Sequence, residues 1–146
     1  MQTLLIASDH AGLELKTSLQ KLLPQYKWQD CGPTKDGKVD YPDYAELLAK
    51  KITPTALGIL ICGSGIGMSI AANKIPGIRA AVVENPIAAK LAREHNHANI
   101  LCLGARFTAP EYAAEMIKAF TEAQPSTDPR HENRIKKIST LEKPHA

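Results

Sequence analysis

Aromatic side chains are scarce: two Phe, one Trp and four Tyr make up 5% of the 146 residues. Platforms for base stacking are therefore few, no basic stripe runs beside them, and nucleic acid is not an expected partner. Cysteine is scarce too. Cys31, Cys62 and Cys102 are odd in number and lie in or beside apolar strands, which reads as reduced thiols rather than a disulfide framework. No apolar run reaches the length of a membrane span, and Met1, Gln2 and Thr3 lead directly into a strand without a charged leader. A cytoplasmic protein with no membrane partner is the expectation. Charge of one sign is hardly in excess: 18 Lys and Arg against 15 Asp and Glu leave +3, much of it in a tail holding Arg130, Arg134, Lys136, Lys137 and Lys143. The length leaves no room for a second domain but suffices for a core without disulfides or structural metal. We expect one domain over 1–146, with a helix and tail from about residue 128.

What is present is concentrated between Leu57 and Lys74, where an apolar strand breaks off into a cysteine and three closely spaced glycines. Leu57 to Ile61 has the unalternated apolar character of a parallel strand covered on both faces, and Met68, Ile70, Ala71 and Ala72 suit a packed helix. Gly63, Gly65 and Gly67 lack a Cβ, so the backbone there can take left-handed dihedrals and bring N–H groups close to an anion, with Ser64 and Ile66 between them. The turn describes an oxyanion cradle. Cys62 falls at the carboxyl end of the strand, where open α/β sheets bind ligands, and near a helix N-terminus that favours a thiolate. Two other readings stay open. Cys62 can be inert packing, and Gly63 and Gly65, with Glu84 about twenty residues on, fit part of a dinucleotide fingerprint whose last glycine is here Met68.

The rest of the chain repeats the strand-to-helix unit. Leu4 to Ala7 is an apolar strand followed by Ser8, Asp9 and His10, which would share the ligand-facing edge with Cys62 in a parallel sheet, although Asp9 can equally cap the next helix. A weaker strand spans Tyr26 to Cys31. Asp40, Tyr41 and Pro42 launch a helix over about Asp43 to Ile52, with Tyr41 either a packing anchor or a ligand contact. Ile78 to Val83 is a fourth strand, Pro86 opens a helix to about Glu94, and His95, Asn96 and His97 precede the fifth strand, Ile100 to Leu103. His95 and His97 lack further ligands for a metal, so proton transfer is the better reading. Gly104, Ala105 and Arg106 follow, Thr108 with Glu111 forms a capping-box pattern, and from about Arg130 an apolar stripe of Ile135, Ile138 and Leu141 marks a last helix that needs something to pack on. Arg130 and Arg134 stand one turn apart, on what can also be a solvated face. The alternation argues for a parallel α/β/α sandwich.

SDHAG after the first strand, DYP, CGSGIGMSIAANK, REHN, GAR and RHENR together resemble the type B ribose-5-phosphate isomerases of the RpiB/LacAB sugar-phosphate isomerase family, over nearly the whole chain. The resemblance implies a Rossmann-like five-stranded sheet, no metal or organic cofactor, and a homodimer or homotetramer whose sites draw on two subunits. By motif, Cys62 would move a proton between C1 and C2, and Ser64 with the glycine turn would hold the enediolate oxygens. His95, assisted by Asp9, would open the sugar ring. His10, Arg106, Arg130 and Arg134 match phosphate-binding positions, and Tyr41 and Asn96 match positions near the sugar hydroxyls. A glutamate used by one branch of the family falls at Met68 here, which places this chain with the thiol branch.

The chemistry of such a reaction agrees with that pattern. Removing the C2 proton of an open-chain aldose puts charge on oxygen, so base and oxyanion donors must be neighbours, as Cys62 and the turn are. A ring form hides the carbonyl, and histidine titrates where ring opening needs it. Ribose 5-phosphate is the expected substrate; a hexose 6-phosphate such as galactose or allose 6-phosphate, and a non-catalytic phosphosugar-binding module, are the alternatives.

Overall fold

Three strands carry almost no polar side chain, and that decides the layering. Leu57–Cys62 is buried at all six positions and Ile100–Gly104 at all five, while Thr3–Ser8 is buried beyond its first residue. Such strands need cover on both faces. The computed structural model describes residues 1–142; Lys143 of the expected basic tail, like 144–146, lies outside the described residues. In order, the elements are β1 (Thr3–Ser8), α1 (Leu13–Leu22), β2 (Lys27–Asp30), α2 (Tyr41–Ala49), β3 (Leu57–Cys62), α3 (Ile66–Ala72), β4 (Ala80–Val82), α4 (Pro86–Asn96), β5 (Ile100–Gly104), α5 (Pro110–Glu122) and α6 (Pro129–Thr140), with a 3-10 turn at Ala105–Phe107.

All five strands are parallel in the order β2-β1-β3-β5-β4. Leu4, Ile6, Ile59, Ile61, Leu101 and Leu103 face α1, α4 and α5, whose Leu19, Ala89, Met116 and Phe120 complete that core. Leu5, Ala7, Leu60, Cys62 and Cys102 face α2 and α3, meeting Leu48, Met68 and Ala72. The result is the expected α/β/α sandwich. The chain leaves β1 toward one edge to make β2 and returns across β1 to make β3, so a crevice opens at the carboxyl ends of β1 and β3. Ser8 pairs with Ile61 there, and Cys62 pairs with Gly104 on the other side.

Several boundaries differ from the sequence expectation for identifiable reasons. The α2 helix begins at Tyr41 rather than near Asp43, because Pro42 is tolerated in a first turn whose N–H groups have no intrahelical acceptor. The capping box of Thr108 and Glu111 does not form. Pro110 opens α5 and moves the cap to Ala109, which leaves Thr108 outside the helix. The edge strand β4 shortens to Ala80–Val82, its start clipped by Asn73, whose side-chain amide exchanges two hydrogen bonds with the Ala80 backbone. α4 runs on to Asn96, so His95 and Asn96 are helical and His97 is its left-handed cap, at φ 48°. No helix among the described residues is long and apolar enough to cross a membrane.

Candidate active site

Where β3 ends, the backbone has to change from extended to helical within three residues. Gly65 makes that change at φ 77°, and a Cβ there would stand 2.9 Å from the Leu103 carbonyl carbon, so both conformation and space demand glycine. Gly63 and Gly67 do not have positive φ, contrary to the expectation that all three glycines supply left-handed backbone. Their use is close approach. A Cβ on Gly67 would fall 2.6 Å from Cζ of Tyr41, and one on Gly63 would fall 3.1 Å from the Arg106 guanidinium carbon. Bare backbone at these positions lets Tyr41 and Arg106 lie against the turn.

The turn folds back on Cys62. The Gly65 N–H donates to Cys62 Sγ at 3.1 Å, and the Ile66 N–H donates to Ser64 Oγ at 3.2 Å. Asp9, buried at the end of β1, donates its N–H to the Ile61 carbonyl at 3.1 Å and accepts the Gly12 N–H on Oδ1 at 3.0 Å. Asp9 therefore does secure the start of the following segment, while lying in the same crevice as Cys62. His10 is exposed and accepts the Val39 N–H on Nδ1 at 3.2 Å. Arg106, in the 3-10 turn after β5, donates its N–H to the Gly63 carbonyl at 3.0 Å. Ten expected site residues thus gather at the carboxyl edge: Asp9, His10, Tyr41, Cys62, Gly63, Ser64, Gly65, Ile66, Gly67 and Arg106.

The other two thiols differ from Cys62 in their surroundings. Burial pushes the Cys102 thiol far above its ordinary range, with Cys62 adding to the shift, and burial likewise raises Cys31. Burial thus favours the protonated thiol at both positions. Among the described residues, no group of three or more His, Cys, Asp or Glu side chains is placed to hold a metal ion.

The four remaining residues stand elsewhere. Because helices return from the carboxyl to the amino edge of a parallel sheet, the last turn of α4 carries His95 and Asn96 to the start of β5 rather than its end. Hydrogen bonds fix that position: Arg79 Nε donates to the carbonyls of Asn96 and His97, each at 3.1 Å, and the Arg79 carbonyl accepts the Asn99 N–H at 2.9 Å. The strand rises about 13 Å between Ile100 and Gly104, so His95 and Cys62 of one chain lie at opposite edges. Arg130 and Arg134 go with His95. Ser126 donates its N–H to the Glu94 carbonyl at 2.8 Å, His97 Nε2 meets the Ser126 carbonyl at 2.9 Å, and α6 follows directly.

His131 is a residue to which the sequence reading assigned no role. Its ring stacks on His95 with centroids 4.3 Å apart and planes 29° apart, and its buried Nδ1 has no hydrogen-bond partner. Burial, then the neighbouring His95 and Arg130, hold its pKa below the usual histidine range. The RHENR motif contains it, but only contact with His95 reveals its place. A cavity of about 670 Å³ also opens at this amino edge, lined by Arg79, Asn96, Ile138 and Leu141, and so takes in one expected sugar contact but none of the Cys62 turn.

Residues 4–138 match the family described as Ribose/Galactose Isomerase. The chain belongs to that family. It is 50% identical to the probable ribose-5-phosphate isomerase B of Mycoplasma pneumoniae, across 94% of this chain and 93% of that one. It is 37% identical to ribose-5-phosphate isomerase B of Escherichia coli, covering 97% of each. Among solved structures, the type B ribose 5-phosphate isomerase of Trypanosoma brucei superposes with a TM-score of 0.92 at 41% identity, covering 97% of this chain and 99% of that one. Ribose-5-phosphate isomerase B of Mycoplasma genitalium, solved with bound ribulose-5-phosphate, gives 0.91 at 41% identity over 98% and 97%. This family membership accounts for the five-stranded sheet and the C-terminal helix together.

Proposed function

We propose that the protein interconverts ribose 5-phosphate and ribulose 5-phosphate through an enediolate, with Cys62 as the base. The observation that carries this reading is the Cys62 thiol at the head of the glycine turn, its Sγ accepting the Gly65 N–H at 3.1 Å. Sγ takes the proton from C2 and returns it to C1, while charge develops on O1 and O2, where the Gly63–Gly67 backbone and Ser64 supply donors. A positioned base contributes about 10² to 10⁴ in rate, and preformed donors lower the cost of the oxyanion further. Tyr41 lies against the turn to meet sugar hydroxyls, and His10 with Arg106 receives the phosphate. The three cysteines are free and buried, which fits a reducing compartment, and we place the enzyme in the cytoplasm.

Ring opening by His95 then requires a second copy of the chain. His95, Asn96, Arg130 and Arg134 are exposed at the amino edge, too far from their own Cys62 to share one sugar phosphate. A homodimer that sets the amino edge of one protomer against the carboxyl edge of its partner completes two sites at once. Mixing inactive Cys62→Ser and His95→Ala proteins tests this. Random exchange leaves half the dimers mixed, each with one intact site, so about a quarter of wild-type activity should return. No recovery after demonstrated exchange would mean that both groups act within one chain. Direct assay with ribose 5-phosphate and with galactose and allose 6-phosphates, without added cofactor, tests the substrate. A preference for a hexose phosphate would overturn the pentose assignment, and no turnover of any would leave only binding.

A further inference from the structure

Lys16 is an anomaly in a helix packed on the core: its side chain is 1% exposed, and lysine is almost never buried so fully unless it is paired. Its Nζ donates to Asp30 Oδ1 at 2.7 Å and to the Pro33 carbonyl at 2.6 Å. The same Asp30 oxygen accepts the Gly32 N–H at 2.8 Å, and Gln20 reaches Oδ2 at 3.3 Å. Gly32 is in turn tied to the sheet, its carbonyl accepting the Ser8 N–H at 3.1 Å. Lys16 thus bolts the beginning of the 33–40 loop to α1. The loop itself has neither helix nor strand and is exposed from Thr34 to Lys38, so its course depends on its ends.

At the far end of that loop, the Val39 N–H donates to His10 Nδ1. A ring nitrogen that accepts a hydrogen bond carries no proton, so in the neutral ring the proton stands on Nε2. We infer that Lys16 is a positioning residue for substrate phosphate: it holds the 33–40 loop where Val39 fixes His10 as a rigid Nε2–H donor to the anion. This rests on the proposed phosphate role of His10. A charged, buried clamp suits the task, because Lys16 Nζ would lose one acceptor and the Pro33 carbonyl its donor if the loop moved away.

Lys16→Met keeps the length of the side chain and removes every donor. With the protein folded, KM for ribose 5-phosphate should rise about tenfold, the effect of one lost charge-assisted contact, while kcat stays within about threefold. Lys16→Arg should recover part of the loss. In a His10→Ala background, Lys16→Met should add little, since the group it positions is gone. Nitrogen-15 chemical shifts of the His10 ring supply a readout that mere destabilisation would not move: a single Nε2–H tautomer in the wild type and a mixture in Lys16→Met. An unchanged tautomer and KM in folded Lys16→Met, or a penalty fully additive with His10→Ala, overturns the inference. If His10→Ala leaves KM unaltered, the phosphate role of His10 fails, and the tautomer comparison still decides whether Lys16 orders the ring. Should Lys16→Met not fold, Val39→Pro removes the N–H while sparing the buried cluster; unchanged tautomer and KM in that variant would equally overturn it.

Discussion

The two edges of the sheet are built in opposite ways. At the carboxyl edge, Cys62 and Asp9 are buried to 4% and 6% exposure and each is hydrogen-bonded within its own chain. At the amino edge, His95, Asn96, Arg130 and Arg134 are all exposed, and α6 buries none of its 12 residues. Isolated helices of that length are marginal in water, so α6 as it stands lacks the packing that normally supports such a helix. Ile138 of α6 is 40% exposed and Leu141, at its C-cap, 79%. Apolar side chains left open in this way mark a surface made for contact. One half of the proposed site is preorganised by its own fold, whereas the other is presented outward for a partner to use.

The sharpest way to break the carboxyl edge is Cys62→Ser. Serine keeps the shape and can accept the Gly65 N–H, but near neutral pH it has no ionised form without a dedicated base. Isomerisation should fall by at least about 10²-fold, while affinity for a phosphorylated sugar-acid inhibitor is retained. Solvent-deuterium exchange at substrate C2, measured beside inhibitor binding, separates the two; exchange within a few-fold of wild type would remove Cys62 as the base. At the amino edge, Ile138→Asp places a charge on the stripe of α6. If that stripe meets another protomer, the dissociation constant of the oligomer should rise about 30-fold, an effect typical of an apolar anchor. Sedimentation and activity on dilution should report it together. An unaltered assembly would leave α6 as a solvated helix.

Arg134→Ala is a smaller lesion at the same edge. Losing one guanidinium–phosphate contact should raise KM about tenfold with kcat less affected. An unchanged KM and kcat/KM would detach α6 from phosphate binding. In the mixing experiment Arg134→Ala should complement Cys62→Ser as His95→Ala does, because both lesions then fall in one site of the mixed dimer and the other site keeps Cys62, His95 and Arg134.

The carboxyl edge was legible in the sequence because its causes are local. An unalternated apolar strand, glycines and a following helix are read within eighteen residues, and Asp9 and His10 follow a strand of the same kind. The role of each glycine was not, since the need for bare backbone at Gly63 and Gly67 comes from Arg106 and Tyr41, distant in the chain. Nor was the separation of His95 from Cys62. That follows from the parallel winding: Cys62 ends a strand at the carboxyl edge, whereas His95 ends a helix that has returned to the amino edge, and a list of motifs in chain order does not show which edge each one reaches. Lys16 is illegible for a similar reason: on a helical face a lysine reads as solvated, and only the fold brings Asp30 and the Pro33 carbonyl around it.

The smallest predicted effect concerns His131, where the two edges differ in what shifts a proton. Its pKa is lowered first by burial against its surroundings and only then by repulsion from His95 and Arg130. Desolvation is indifferent to salt, whereas repulsion between charges is screened over about 10 Å at 0.1 M. The His131 midpoint, followed by NMR, should therefore lie below the ordinary value near 6.5 and move little between low and high salt. His95→Ala removes the stacked ring and its charge together, and should raise the midpoint toward that ordinary value. The linkage to folding has a definite sign. Because the unfolded chain binds this proton more readily, the neutral ring's contribution is fully present above about pH 6.5 and declines as pH falls through the unfolded value toward the lower folded one. His131→Phe keeps an aromatic ring on His95 and cannot titrate, so its stability should fall less steeply than wild type between pH 7 and 5. A wild-type midpoint at or above 6.5 would refute the lowering itself, and one that climbs strongly with salt would show that repulsion rather than burial governs this ring.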